Sequence, residues 1–123
     1  MKTYRELAQK NPQTFLPKVA LTLNNLGILD SIENRMAEAR NEYEEALKTY
    51  RELAQKNPET YLPDVALTLN NLGILDSDQN RIAQARKEYE EALKIFEDFS
   101  KQDPEQYTTD VQRQKKLLEE LPK

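Results

Sequence analysis

The chain has 123 residues, of which 37% are hydrophobic and 33% charged, with two glycines, no cysteine and no histidine. Abundant Leu, Ala, Glu, Lys and Gln favour helix and exclude an all-β fold. The missing Cys and His remove disulfides, thiolate nucleophiles and the usual metal ligand, and a net charge of −4 argues against nucleic-acid binding.

A 46-residue repeat organises the chain. Residues 4–49 and 50–95 are identical at 37 of 46 positions, and residues 96–123 form a weaker third copy. Helix breakers divide each copy into a helix pair. We therefore expect one all-α domain, an α-α superhelix of antiparallel helix hairpins. Its predicted parts are a half helix and connector at 1–15, repeat 1 at 16–61, repeat 2 at 62–107 and a C-terminal capping helix at 108–123.

The predicted helices follow in chain order. They cover 2–10, 17–32, 35–56, 63–78, 81–101 and 110–121. Pro63 suits a first helical position, since its φ is fixed and it lacks an N–H. Thr109 and Gln112 have the spacing of a capping box for the last helix. Asn34 and Asn80 lie between paired helices, where asparagine enters the left-handed region readily.

Apolar spacing defines the packing faces of the second copy. Val65, Leu69 and Leu72 share one stripe, with Gly73 at its edge. We expect Gly73 to allow close helix approach, so that Gly73→Ala is mild and Gly73→Leu destabilises by about 1–3 kcal/mol through overpacking. The following helix has one apolar stripe, made of Ile82, Ala85, Tyr89, Ala92, Leu93 and Phe96.

The first repeat lacks the front of its preceding helix, because Met1 aligns with Leu47. Two interpretations stay open: the chain is the C-terminal piece of a longer array, or the half helix is a native cap. In both cases the short segment leaves apolar surface uncovered, and we expect self-association through the N-terminal end. The half helix continues the apolar stripe with Met1, Tyr4, Leu7 and Ala8.

The two complete copies share a pattern of small, aromatic and turn residues. Copy one has Leu26, Gly27, Asn34, Met36, Ala39, Tyr43 and Ala46, and copy two has Leu72, Gly73, Asn80, Ile82, Ala85, Tyr89 and Ala92. The pattern resembles the tetratricopeptide repeat, in a long-unit bacterial form. The resemblance implies a non-enzymatic scaffold whose concave groove holds an extended peptide or a partner helix.

The resemblance also implies which residues line that groove. On the first helix of each pair, one set of side chains lies opposite the packing stripe. Asparagine can hydrogen-bond a peptide backbone, and leucine and isoleucine offer apolar contact. Alternatively, the leucines pack between repeats and the asparagines bond helix to helix. The set is Leu21, Asn24, Asn25, Ile28 and Ser31 in copy one, and Leu67, Asn70, Asn71, Ile74 and Ser77 in copy two.

Other candidate sites fail on chemistry. A carboxylate clamp needs several basic residues along this face, and the predicted helices 17–32 and 63–78 offer only Lys18. Asp76 to Asn80 opens like a calcium loop, but Arg81 and Lys87 occupy the positions that need Gly and Glu. No metal, cofactor or catalytic residue is expected.

Asp30 and Asp76 lie near the packing stripe, where an unpaired carboxylate is costly. We expect each to form an ion pair that closes the corner between its two helices. The candidate partners are Arg35 or Arg40 in copy one and Arg81 or Arg86 in copy two.

The chain has neither an apolar stretch long enough to cross a membrane nor a signal-peptide core, which predicts a soluble, cytoplasmic protein. The expected function is binding of a protein or peptide partner, without nucleic acid or membrane contact. The alternative is a self-assembly module that pairs through its N-terminal face.

Overall fold

The computed structural model describes the backbone of residues 12–122 and the side chains of residues 14–122. This part of the chain contains five helices and no strand, which confirms the predicted all-α solenoid class. The predicted half helix at 2–10 lies outside the described residues. The helices are α1 (Pro12–Ile32), α2 (Met36–Lys56), α3 (Pro58–Asp78), α4 (Ile82–Gln102) and α5 (Pro104–Glu120).

The fold divides into two compact units, Met1–Tyr61 and Leu62–Lys123. The first contains α1, α2 and the first turn of α3. The second contains the rest of α3 with α4 and α5. None of the described helices is both long and apolar enough to cross a membrane.

The predicted start of α3 at Pro63 is wrong. The helix begins five residues earlier, at Pro58, and Pro63 lies inside it. Pro58 already takes the first helical position, where a missing N–H costs nothing, and the carbonyl of Asn57 accepts a hydrogen bond from Tyr61 N at 3.1 Å. Pro63 then removes one backbone bond near the helix start, and the helix continues. Pro17 lies inside α1 in the same way.

The last helix also begins earlier than predicted, at Pro104. The expected capping box of Thr109 and Gln112 is therefore wrong, since both residues lie within the helix. The cap is Asp103, whose Oδ1 accepts a hydrogen bond from Gln106 N at 3.3 Å. Asp103 also ends α4, donating its N–H to the carbonyl of Phe99. A single residue thus joins α4 to α5.

The turns within each helix pair match the prediction for asparagine. Asn34 and Asn80 both adopt φ 64°. In the first turn Arg35 N donates to Asp30 O at 2.7 Å and Asn34 N donates to Ser31 O at 3.1 Å, and the second turn repeats both bonds. This is the Schellman arrangement, which satisfies the last carbonyls of α1 and α3.

In the first unit, α1 packs against α2. Val19 and Leu23 from α1 form a core cluster with Ala46 from α2, and Phe15 and Leu16 pack beside it. Further along α2, Ala39, Tyr43 and Tyr50 are buried as well.

In the second unit, α5 packs against α4. Leu121, just after α5, joins Ala85 and Tyr89 in a buried cluster, with Ile82, Leu117 and Leu118 packed against it. The predicted stripe on α3 is confirmed, because Val65, Leu69 and Leu72 are all buried. Most of the α4 stripe is buried too, while Ile82 and Leu93 are half-buried.

Two glycines bring the paired helices together. A Cβ added at Gly73 would lie 2.5 Å from Cε1 of Tyr89, and one added at Gly27 would lie 2.5 Å from Cε1 of Tyr43. Close helix approach at Gly73 is confirmed, but the expectation that alanine fits there is wrong, because the tyrosine ring occupies that space. Burial raises the pKa of both tyrosines to about 12.

Candidate functional site

The face of α1 opposite its core presents apolar side chains. Leu21 is 53% exposed and Ile28 39% exposed, and Asn25 between them is also exposed. Spacings of four and three residues put these side chains on one side of the helix. We refer to Leu21, Asn25 and Ile28 as the exposed row of α1.

The second unit presents the equivalent row on α3. Leu67 is 40% exposed and Ile74 39% exposed, while Asn71 between them is half-buried. Leu67, Asn71 and Ile74 are the exposed row of α3. Contiguous exposed apolar surface is typical of interaction sites, and the two rows are candidates for such a surface.

The other four predicted residues are less accessible. Asn24, Ser31 and Ser77 are half-buried, and Asn70 is buried. The Nε2 of Gln114 on α5 donates a hydrogen bond to Oδ1 of Asn70 at 2.6 Å, and Gln114 is itself fully buried. In the second unit the Asn70 carboxamide therefore joins α3 to α5.

Two exposed residues at the end of α1 were not predicted. Leu29 is 56% exposed and Ile32 76% exposed. The equivalent of Leu29 in the second copy, Leu75, is only 1% exposed. Ile32 extends the exposed row of α1 by one further turn, so its spacing of four residues from Ile28 is the signal that could have revealed it.

A pair of carboxyl groups lies between α1 and α2. Burial, a hydrogen bond with Asp30 and the negative charges of Asp30 and Glu38 raise the pKa of Glu42 to about 7. The raised pKa keeps a proton on Glu42 in mildly acidic solution, and this proton allows two carboxyl groups to share a hydrogen bond.

At Asp30 the partner that the structure shows is acidic, and the ion pair expected at Asp76 stays a prediction. Asp30 hydrogen-bonds Glu42. Arg35 Nε lies 3.6 Å from Glu33 Oε2, and Arg86 Nη2 donates to the carbonyl of Pro122 at 3.1 Å. The prediction that Asp76 lies near the core is confirmed, because its side chain is fully buried. The sequence could not show Glu42 as a partner, because two acidic groups pair only where one holds a proton.

The second unit has an amide at the position of Glu38. Gln84 Nε2 donates a hydrogen bond to Glu88 Oε2 at 3.2 Å, and Glu88 is the equivalent of Glu42. The first unit thus places an acid where the second places a neutral donor.

Across residues 12–122, no group of three or more acidic side chains is arranged to hold a metal ion.

The family model described as tetratricopeptide repeat matches residues 19–58 and 65–98, more than half of the chain. The chain belongs to the tetratricopeptide repeat family. A search of curated proteins finds no match. The two matched spans contain both exposed rows, and tetratricopeptide repeats as a family mediate protein–protein interactions.

Proposed function

We propose that this tetratricopeptide-repeat protein is a non-enzymatic scaffold that binds a peptide or a partner helix along the first helix of each repeat. The observation that carries the proposal is the exposure of Leu21 and Ile28, repeated at Leu67 and Ile74. Each repeat thereby offers a strip of the same chemistry. The family resemblance supports a wider contact set, which adds Asn24, Asn25, Ser31, Asn71 and Ser77. Asn70 leaves the predicted set, because it is buried and bonded to Gln114.

The exposed rows suit a polypeptide partner. Full burial of an exposed leucine or isoleucine is worth about 1.5–3 kcal/mol, and these side chains gain a fraction of that amount on being covered. The carboxamide of Asn25 can donate to and accept from a peptide backbone without selecting its side chains. Each row therefore supplies apolar affinity and tolerates varied sequences.

Selection from a displayed random-peptide library, followed by affinity measurements on variants, tests this proposal. Leu21→Glu and Leu67→Glu place a charge on an exposed row without touching the core, and we expect each to weaken the selected peptides at least about tenfold. Asn41→Glu on α2 and Gln112→Glu on α5 add the same charge at exposed positions elsewhere. Equal losses in the control variants would argue that charge, and not the rows, governs binding.

A second candidate is self-assembly through the N-terminal end. It is favoured by the contrast between Leu29, which is 56% exposed, and Leu75, which is buried. Identical residues at equivalent positions differ in this way when only one of them is covered. A second copy that covers Leu29 and Ile32 would bury the exposed apolar surface.

A further inference from the structure

The first unit contains a cleft where the start of α1, the end of α2 and the start of α3 meet. Its volume is about 630 Å³. Leu16, Leu53 and Tyr61 form its apolar part and are half-buried. The remaining lining residues are polar: Glu52, Gln55, Lys56 and Asn57.

The second repeat shows what fits beside this tyrosine. The equivalents of Leu53 and Tyr61 are Phe99 and Tyr107, each 46 residues further on. The ring centroids of Phe99 and Tyr107 lie 5.4 Å apart with an angle of 67° between the planes, an edge-to-face contact. The first repeat has Leu53 in place of that phenylalanine, so Tyr61 faces an open cleft where Tyr107 meets a ring.

We infer that the cleft binds an aromatic side chain, Phe or Tyr, of a partner polypeptide, and that its ring takes the place that Phe99 holds in the second repeat. A cavity of about 150 Å³ already accepts benzene, and ligand pockets commonly enclose about 300–1,000 Å³, so the cleft has room for a ring with its backbone.

The rim of the cleft favours a neutral ring over a charged group. Glu52 and Lys56 carry opposite charges, so neither an anion nor a cation gains a net attraction from the pair. The carboxamides of Gln55 and Asn57 can bond the backbone of the bound segment. The cleft shares no residue with the exposed rows, so the inference does not rest on the proposed function.

The probe for the test is N-acetyl-phenylalanine amide, with N-acetyl-alanine amide as the matched ligand without a ring. Titration of isotope-labelled protein, followed by NMR, should shift the methyl signals of Leu16 and Leu53 and the ring signals of Tyr61. We expect the alanine compound to bind at least tenfold more weakly. Ile28→Ala, on the exposed row of α1, should leave the titration unchanged.

Two exchanged variants make the test reciprocal. Leu53→Phe fills the cleft with the chain's own ring and should weaken the phenylalanine probe at least tenfold. Phe99→Leu removes the ring beside Tyr107 and should create a second site, seen as new shifts at Leu62 and Tyr107. If the circular dichroism of Phe99→Leu shows a loss of helix, the probe affinity of Leu53→Phe alone tests the inference.

Any one of three titration results would overturn the inference. They are no shift in the wild type at millimolar probe, equal binding by wild type and Leu53→Phe, and perturbations confined to the exposed rows. Concentration-dependent dimerisation that Leu53→Phe abolishes would also overturn it, because the occupant would then be a second copy.

Discussion

A glycine and a tyrosine ring are in close contact in each repeat. Because a Cβ at Gly73 would lie 2.5 Å from the Tyr89 ring, the ring must move to admit any side chain. We expect Gly73→Ala to lower the free energy of unfolding by about 1–3 kcal/mol, and Gly73→Leu to lower it further. Urea unfolding at matched concentration measures both changes.

Gly27, the equivalent of Gly73 in the first repeat, provides a control. Gly27→Ala should behave like Gly73→Ala, because Gly27 meets Tyr43 at the same distance. Ala83→Gly, at an exposed helical position, reports the ordinary glycine penalty of up to about 1 kcal/mol. A stabilising Gly73→Ala would mean that the ring moves aside freely and that helix propensity outweighs packing.

Glu42 makes the stability of the first unit depend on pH. Its pKa is about 7 in the folded chain, against an ordinary value of 4.5. The folded state therefore binds more protons between these values, so the stabilisation is complete below about pH 4.5 and is lost as the pH rises through about 7. We expect the urea midpoint to fall between pH 5 and pH 8.

The variant Glu42→Gln isolates this effect. An amide can still donate a hydrogen bond to Asp30 but does not titrate. The urea midpoint of the variant minus that of the wild type should therefore increase between pH 5 and pH 8. Parallel pH profiles for the two proteins would show that Glu42 titrates alike in the folded and unfolded chains.

At the scale of helices, local chemistry predicted the turns but not all of the helix starts. Asn34 and Asn80 could be assigned because few residues other than glycine enter the left-handed region cheaply. The start of α3 was misplaced because two prolines, Pro58 and Pro63, compete for one first-turn position.

The link between α3 and α5 rests on a bond that local patterns cannot reveal. Gln114 and Asn70 lie 44 residues apart, and neither residue type signals a core position. We expect Gln114→Ala to cost about 1–3 kcal/mol, because it leaves a buried oxygen of Asn70 without its donor. Amide hydrogen exchange should accelerate most in α5.

The double variant Asn70→Leu/Gln114→Leu serves as the control. It removes both polar groups together, including Oε1 of Gln114, which is buried without a hydrogen-bond partner among the described residues. It should recover most of the stability that Gln114→Ala loses. If the double variant loses as much stability as the two single variants together, the shape of the side chains, and not the hydrogen bond, holds α5.

At the scale of the whole molecule, the exposed apolar residues decide between binding a partner and self-assembly. Helical spacing together with the family resemblance predicted Leu21 and Ile28 and their equivalents on α3 as exposed candidates. The burial of Asn70 fits the alternative in which the asparagines bond helix to helix. The exposure of Leu29 was beyond prediction, because it depends on which neighbouring element covers the position. Identical sequence in the two copies cannot report that difference.

Self-association through Leu29 and Ile32 has a direct test. Light scattering across a concentration series should show the wild type increasing in mass, while Leu29→Glu/Ile32→Glu stays monomeric because charges oppose burial. Ala83→Glu, at an exposed position of α4, is the control and should associate like wild type. A wild type that stays monomeric at millimolar concentration would exclude this candidate.

The proposed function requires that a partner polypeptide docks along the first helix of each repeat. NMR of methyl-labelled protein with a library-selected peptide tests it most directly, because each methyl group reports its own position. We expect the largest shifts at Leu21, Ile28, Leu67 and Ile74, and we expect Leu67→Glu to reduce the shifts that the same peptide causes. Shifts confined to Leu47, Leu93 and Ile95 on α2 and α4, with the exposed rows unchanged, would contradict it.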